Sequence, residues 1–201
     1  MSDIKEPIQK RAIEKKLQLI EAAKIVFNTI GYHDTHIKDI THEAGISVGL
    51  FYKYFEDKND IYIKVLNILY DKEMEIAVDF KYQIVHEKDK REVIRCYLEN
   101  RLKMTAYKNI AEEFHVLSEK YELIKNIKSN YKETYLSIFN DILSELWENP
   151  TEASLEVATR LIRSTMNSNV FEMDSIKNED LRNEYIDRLT DILYNIIVLN
   201  C

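Results

Sequence analysis

The sequence predicts an all-α protein, with short helices near the N-terminus and long helices in the remainder. The chain has 201 residues but only three Gly and two Pro. A many-stranded sheet needs a turn about every 8–12 residues, and so few turn-forming residues do not supply them. All three glycines lie between residues 31 and 49. Apolar residues recur at spacings of three and four along most of the chain, which is the period of an amphipathic helix.

The composition limits the classes of function. The chain is 45% apolar and 31% charged, which is typical of a globular protein. Its formal net charge of −7 does not by itself indicate nucleic-acid binding. The two cysteines have no metal-ligand spacing and are too few for a disulfide framework. Neither a signal peptide nor an apolar run of about 18 residues is present. We therefore expect a cytoplasmic protein with no membrane partner and no cofactor.

The first predicted helix covers about Lys10 to Ile30, and Gly31 follows where a helix end favours a positive φ angle. Its apolar stripe consists of Ile13, Leu17, Ile20, Ala23, Phe27 and Ile30. Thr35 is the expected N-cap of a short second helix, because threonine oxygens accept hydrogen bonds from the first helical N–H groups. Gly45 is expected to end that helix.

A third short helix is predicted from the N-cap Ser47 to about Tyr54, with Phe51 and Phe55 on its inner face. Two short helices joined by a Gly-containing turn, behind a longer helix, are typical of a helix-turn-helix. Residues near the start of the third helix then face outward, where such helices enter the major groove of DNA. Gly49 costs ~1 kcal/mol relative to Ala inside a helix, which favours a position that another molecule approaches closely.

Longer helices are predicted in the rest of the chain. Asp57, Asp89 and Thr151 are the expected N-caps of three of them, and Pro150 is expected to stop the helix before Thr151. The predicted helices after Asp57 cover about 57–80, 89–102, 111–117, 122–147, 152–172 and 179–199.

The last helix has a wider apolar surface than one partner helix requires. Burial on two sides would explain this width, either in a dimer interface or at the centre of the protein's own bundle. The candidate dimer residues are Leu155, Ile162, Met166, Leu189, Ile192 and Ile196.

Residues 17–64 resemble the N-terminal domain of TetR-family transcriptional regulators. The resemblance is carried by the segments AAKIVFNTIGY, IKDITHEAGISVG and FYKYFEDK. It implies a DNA-binding helix-turn-helix domain at residues 1–56 and a helical-bundle domain for ligand binding and dimerisation at 57–201. It also implies a homodimeric repressor that binds palindromic double-stranded operator DNA, is released by a small hydrophobic effector and is not an enzyme.

The resemblance implies DNA contacts for particular residues. They are Thr35, Ser47, Val48, Gly49, Leu50, Tyr52, Tyr54 and Lys58. Lys38 and Lys53 flank this face in the sequence and are expected to meet phosphates. Val48 and Tyr54 depart from the family, in which these positions are often Lys and His. Val48 offers only an apolar contact, for example to a thymine methyl group, so the operator sequence is not predicted.

Aromatic residues of the second half have two possible roles, core packing or an apolar effector pocket. The candidate pocket residues are Tyr97, Tyr107, Glu112, Phe114, His115, Tyr135, Phe139 and Met166. Glu112, Glu113 and His115 would favour a cationic compound. Glu112 and His115 also have the spacing of one di-iron ligand pair, but the sequence has no second pair and no metal is expected.

Two other functions remain open from the sequence. One is a helical ligand-binding or adaptor module whose helix-turn-helix binds no operator. The other is an enzyme on a helical bundle, although no nucleophile, phosphate-loop or metal motif is present.

Overall fold

The structure is a computed structural model that describes the backbone of residues 5–199 and the side chains of 10–166, 169 and 172–199. Within this range the regular elements are all helical, which confirms the predicted all-α class. The helices are α1 (Lys5–Asp34), α2 (Ile37–Glu43), α3 (Val48–Phe51), α4 (Lys58–His86), α5 (Lys90–Leu102), α6 (Lys108–Lys120), α7 (Glu122–Leu146), α8 (Glu152–Ser175) and α9 (Glu179–Tyr194). A 3₁₀ turn covers Lys103–Tyr107, and a π-helical turn covers Asn195–Leu199.

The chain forms two compact units. Unit 1 contains the residues up to Leu69 together with Tyr107–Lys125, and unit 2 contains Tyr70–Ala106 and the residues from Asn126 onward. Unit 1 extends beyond the range 1–56 that the sequence suggests for a DNA-binding domain, because α6 packs along α1.

In unit 1, α1 buries a different set of residues from the stripe that the sequence pattern indicates. Ile20, Ala23 and Phe27 are buried as expected. Ile13 and Leu17 are 60% and 51% exposed. The buried face of α1 begins only after them and includes three residues outside the predicted stripe. Those additional buried residues are Leu19, Ala22 and Val26. The predicted stripe is therefore wrong at both ends, since Ile30 is also 45% exposed.

Unit 2 is a helical bundle in which α5 packs against α9 and α8. Phe80, Phe139 and Ile162 are among the fully or almost fully buried side chains of its core. The indole N–H of Trp147 donates to the carbonyl of Ile197 at 2.9 Å, which fixes the π-helical turn to the end of α7. No helix among the described residues is both long and apolar enough to cross a membrane.

Three predicted N-caps are confirmed. An Asp57 carboxylate oxygen accepts the N–H of Asp60 at 2.8 Å. The Asp89 carboxylate and the Thr151 hydroxyl likewise accept the N–H three residues on, at 3.0 and 3.1 Å. Each cap satisfies a backbone donor that has no partner inside its helix, so it fixes where the helix begins.

Candidate nucleic-acid interface

The turn between α2 and α3 has the geometry that the sequence predicts. Gly45 has a φ angle of 61°, in the left-handed region that glycine adopts without a Cβ penalty. Ile46 is buried in the small core beneath the turn. The Ser47 hydroxyl then accepts the N–H of Leu50 at 3.3 Å and caps α3.

Two further contacts fix this turn to the rest of unit 1. The Gln18 amide on α1 donates to the Ala44 carbonyl at 2.7 Å, which satisfies an acceptor at the end of α2. Phe51 and Phe55 are 0% and 3% exposed, as predicted. Sequence reasoning missed Gln18, because no local pattern relates residue 18 to residue 44.

The third helix ends earlier than predicted. It covers Val48–Phe51, and the backbone then tightens into a turn. The N–H groups of Lys53 and Tyr54 donate to carbonyls three residues earlier, at 3.2 and 2.9 Å. This tighter turn accompanies the inward placement of Phe55.

Most of the predicted DNA-binding residues lie on one exposed segment of unit 1. Val48 and Tyr52 are 37% and 57% exposed. Ser47, Gly49 and Lys53 are also exposed, Leu50 and Tyr54 are half-buried, and Lys38 is exposed on α2. A Cβ atom built at Gly49 would meet nothing within 4 Å. Packing within the described structure therefore does not require glycine at this position.

Thr35 does not have the predicted role. His36, not Thr35, is the N-cap of α2, and the His36 N–H donates to the Asp39 carboxylate at 2.7 Å. Thr35 is 1% exposed, and its hydroxyl donates to the Gly31 carbonyl at 2.5 Å. The cap prediction is wrong because the chain uses Thr35 to close the end of α1, and this side chain does not lie on the exposed segment.

Lys58 is also used internally rather than presented to phosphates. Its ammonium group donates to the carbonyls of Tyr32 and Thr35 at 2.6 and 2.8 Å, with a weaker contact to His33 at 3.3 Å. The same nitrogen lies 4.3 Å from the Tyr32 ring centroid, which is a cation–π contact. Partial desolvation lowers the pKa of Lys58, and the Glu113 carboxylate opposes that shift. In this structure its three donors stabilise the connection between α1 and α2.

Glu113 on α6 closes the other side of this connection. Its carboxylate accepts the backbone N–H of Tyr32, and the Tyr32 hydroxyl donates to the Asn59 side chain. Desolvation, with smaller effects from nearby charges, raises the pKa of the Tyr32 hydroxyl to about 12. The sequence suggested that Glu113 selects a cationic ligand, whereas the structure uses this carboxylate to bind backbone at the end of α1.

The predicted pocket residues fall into two groups that belong to different units. Glu112 and His115 are exposed, Tyr107 is half-buried and Phe114 is buried in unit 1. Four members lie buried in the core of unit 2, namely Tyr97, Tyr135, Phe139 and Met166. Their assignment to an effector pocket stays a prediction. No cluster of three or more potential metal-ligating side chains occurs in the part of the chain that the structure describes.

Three of the candidate dimer residues belong to the core of the single chain. Ile162 and Met166 are 0% exposed and Leu189 is 3% exposed, so they offer no surface to a partner. Leu155 and Ile196 are half-buried, and Ile192 is 50% exposed. The apolar residues that α8 and α9 do expose include Val157, Leu161 and Leu181, which the sequence analysis did not select.

Comparison with known proteins gives the same assignment for the N-terminal segment. Residues 19–65 match the family model of the bacterial regulatory proteins of the tetR family. The HTH-type transcriptional regulator HbdR of Aromatoleum sp. strain CIB is 44% identical over 64 residues, which are 31% of this chain and 28% of that protein. The HTH-type transcriptional repressor KstR2 of Rhodococcus jostii RHA1 is 24% identical over 162 residues, covering 75% of this chain and 76% of that protein.

A solved structure extends the likeness of fold beyond that segment. The transcriptional regulator FadR of Bacillus subtilis, in complex with stearoyl-CoA, has a TM-score of 0.62 at 20% identity and covers 90% of this chain and 97% of its own. The helix-turn-helix with its exposed α3 segment is the arrangement found in DNA-binding proteins of the helix-turn-helix class. Residues 19–65 therefore match the TetR family, and the fold of the chain resembles that of a solved transcriptional regulator.

Proposed function

We propose that the chain is a repressor that binds a palindromic operator as a homodimer and is released by a small effector. The observation that carries this proposal is the exposure of the segment from Ser47 to Lys53. Its inner side is fixed by buried phenylalanines, and the residues on its outer side are exposed. A protein surface that inserts into a DNA groove has this combination of rigidity and exposure.

The chemistry of the segment fits a division between phosphate and base contacts. Tyr52 and Lys53 offer a hydroxyl and an ammonium to phosphate oxygens, which position the protein on the duplex. Val48 offers a methyl surface to a base edge, with thymine as the apolar partner of the major groove. Lys38 adds a further positive charge from α2. Operator binding then falls as salt rises, because these cations displace counterions from the phosphates.

A second copy of the chain is the partner that the exposed apolar residues of α8 and α9 fit. Val157 and Leu161 are one helical turn apart on α8 and are 58% and 50% exposed. Leu181 and Ile192 are three turns apart on α9 and are 59% and 50% exposed. Each pair therefore forms a stripe on one face of its helix. A twofold interface through these stripes supplies the paired recognition segments that a palindrome requires.

The effector is proposed to bind in the aromatic core of unit 2, near Tyr97, Tyr135 and Phe139. FadR of B. subtilis is a precedent for a ligand with a long apolar acyl chain in this fold, since its structure contains stearoyl-CoA. Release from DNA requires that the effector bind the DNA-incompetent state more tightly. The two ligands must then weaken each other by the same factor. Such a regulator acts in the cytoplasm, where bacterial DNA lies.

The first test is selection of binding sites from random duplex DNA with the full-length protein. We expect enrichment of a palindrome whose half-sites lie on one face of the duplex, since two copies of α3 must reach successive major grooves. Enrichment of a single, non-repeated half-site would contradict the homodimer. The absence of any enriched sequence would favour the alternative, a helical ligand-binding module without an operator.

Gly49→Ala gives a sharper test of the recognition segment. We expect operator affinity to fall by about tenfold, because the added methyl group occupies space next to the groove. Stability should stay unchanged or rise, since alanine at a compatible helical position contributes roughly 0.4–1 kcal/mol. Fluorescence anisotropy with the selected operator measures the first effect, and thermal unfolding measures the second.

Gly45→Ala is the matched control for that substitution. Its φ angle of 61° strains any residue with a Cβ atom, so this variant should lose stability. Wild-type operator affinity in a folded Gly49→Ala variant would show that this segment does not approach DNA closely.

A further inference from the structure

The core of unit 2 contains a buried ion pair between two helices. Arg101 on α5 is 5% exposed, and its Nη1 atom lies 2.9 Å from Oε1 of Glu73 on α4. The other carboxylate oxygen of Glu73 accepts a hydrogen bond from the Tyr131 hydroxyl on α7. Both oxygens of this carboxylate are therefore engaged.

A second polar pair lies next to the first. The hydroxyls of Tyr97 and Tyr135 are 3.1 Å apart in a hydrogen bond, and both residues are buried. The Arg101 guanidinium lies 5.8 Å from the Tyr135 ring centroid. Burial raises the pKa of the Tyr135 hydroxyl, and the positive charges of Arg101 and of Arg163 on α8 oppose that rise. We refer to Glu73, Tyr97, Arg101, Tyr131, Tyr135 and Arg163 as the Arg101 cluster.

Hydrogen-bond donors exceed acceptors in the Arg101 cluster. In the described part of unit 2, the buried side-chain atoms without a hydrogen bond are all N–H donors, namely Nε and Nη1 of Arg101 and Nε of Arg163. The Nη1 atom is close enough to Glu73 for an ion pair but is not aligned for a hydrogen bond. In the Tyr97–Tyr135 pair only one hydroxyl donates to the other. Buried donors without acceptors carry a free-energy penalty, so the cluster is chemically incomplete.

The charges of the cluster are also unbalanced. Arg101 is paired with the single carboxylate of the cluster, that of Glu73, and the half-buried guanidinium of Arg163 adds a second positive charge near Tyr135. A buried charge is stabilised only when it is paired and hydrogen-bonded. A single anionic group with acceptor oxygens would correct both the donor excess and the charge.

We propose that the Arg101 cluster binds the carboxylate of an apolar organic acid, and that such acids are the effectors of this regulator. The proposal rests on the proposed function and names its ligand class. The guanidinium group of Arg101 is a planar set of N–H donors whose geometry matches a carboxylate. The carboxylate of the ligand would accept a hydrogen bond from Nε, while Glu73 stays paired with Nη1.

The surroundings of the cluster fit the apolar part of such an acid. The Phe80 ring stacks on Tyr97 with a centroid distance of 4.2 Å, and the Phe139 ring lies 4.8 Å from Tyr135. Aromatic and aliphatic side chains therefore adjoin the polar groups, as in pockets that orient an apolar ligand by a few polar contacts. This ligand class is opposite in charge to the cationic compound that Glu112, Glu113 and His115 suggested from sequence.

The test is thermal unfolding of the full-length protein with ligands matched in shape and different in charge. Benzoate, octanoate and laurate are the acids, benzyl alcohol and octanol the neutral analogues, and benzylamine and octylamine the cations. We expect at least one acid to raise the unfolding temperature, with no comparable effect of its alcohol or amine. Octanoyl-CoA, whose anionic groups are phosphates, is the comparison for the carboxylate. The proposal is overturned if only octanoyl-CoA, only amines, or none of the ligands stabilises the protein.

Two substitutions with opposite expected effects separate binding from a purely structural ion pair. Glu73→Gln removes the competing carboxylate, so the affinity for the active acid should rise by roughly tenfold. Arg101→Met removes the guanidinium donors, so the acid should no longer raise the unfolding temperature. Arg160→Met is the control, because Arg160 is exposed and pairs with Glu156 within α8. If Arg101→Met does not fold, Glu73→Gln decides alone, and unchanged acid affinity in that variant contradicts the proposal.

Operator binding is measured separately, so the two proposals fail in different ways. Acid binding without any operator would overturn the regulatory function and leave the carboxylate site standing. If the protein binds an operator, but no acid raises its unfolding temperature or releases it from the DNA, the effector class is overturned. The regulatory function then still stands.

Discussion

Gly31→Ala is expected to lower the free energy of unfolding by about 2–4 kcal/mol, although it adds only one methyl group. Gly31 has φ 81° and ψ 164°, a backbone conformation that is essentially restricted to glycine. A Cβ atom there would lie 2.7 Å from Oε1 of Glu113. The substitution therefore strains the backbone and displaces the carboxylate that accepts the Tyr32 N–H. Urea unfolding of the purified variant measures the loss.

The double variant with Glu113→Ala separates the two causes. Removal of the Glu113 carboxylate relieves the clash but not the backbone strain. Gly31→Ala should therefore lower the free energy of unfolding by a smaller amount in the Glu113→Ala background than in the wild type. A Gly31→Ala variant as stable as the wild type would mean that the end of α1 adopts another conformation in solution.

Sequence reasoning succeeded for features that involve neighbouring residues. Ser47, Asp89 and Thr151 are predictable as caps because each side chain reaches an N–H only three residues on. Gly31 and Gly45 are predictable as turn residues because a positive φ angle favours glycine whatever the tertiary context. The order of the first helices and the exposed α3 segment follow from these local rules.

Long-range contacts were not predictable in the same way. The hydrogen bond from Tyr32 to Glu113 joins residues 81 positions apart. Nothing near Lys58 in the sequence indicates that backbone carbonyls of the α1–α2 connection occupy its ammonium group. The pairing of Arg101 with Glu73 was missed because a basic and an acidic residue on separate helices look like ordinary surface charges until the helices pack. These contacts depend on how helices meet, which apolar periodicity does not encode.

The choice of face on α8 failed for a related reason. Leu155, Ile162 and Met166 form a regular apolar pattern, and so do Val157 and Leu161. Periodicity identifies both faces without deciding which one lies inside. The structure decides it, since Ile162 and Met166 are 0% exposed and Val157 and Leu161 are at least half exposed.

Leu161→Asp is expected to convert the proposed homodimer to a monomer and to weaken operator binding by about 100-fold or more. The buried carboxylate would have no partner in an apolar dimer interface, where an unpaired charge is strongly unfavourable. A monomer binds one half-site at a time and loses the gain from two linked sites. Sedimentation velocity measures the association state, and anisotropy with the palindromic operator measures affinity. The fold of the single chain should be retained, because Leu161 is 50% exposed in it.

Val78→Asp is the matched control for this prediction. Val78 is 55% exposed on α4, so the same change of an apolar side chain to a carboxylate occurs away from α8 and α9. We expect this variant to remain a dimer and to bind the operator normally. If Leu161→Asp also remains a dimer with full operator affinity, the exposed stripes of α8 and α9 are not the dimer interface. Loss of association in both variants, with the fold of each retained by circular dichroism, would instead place part of the interface on α4.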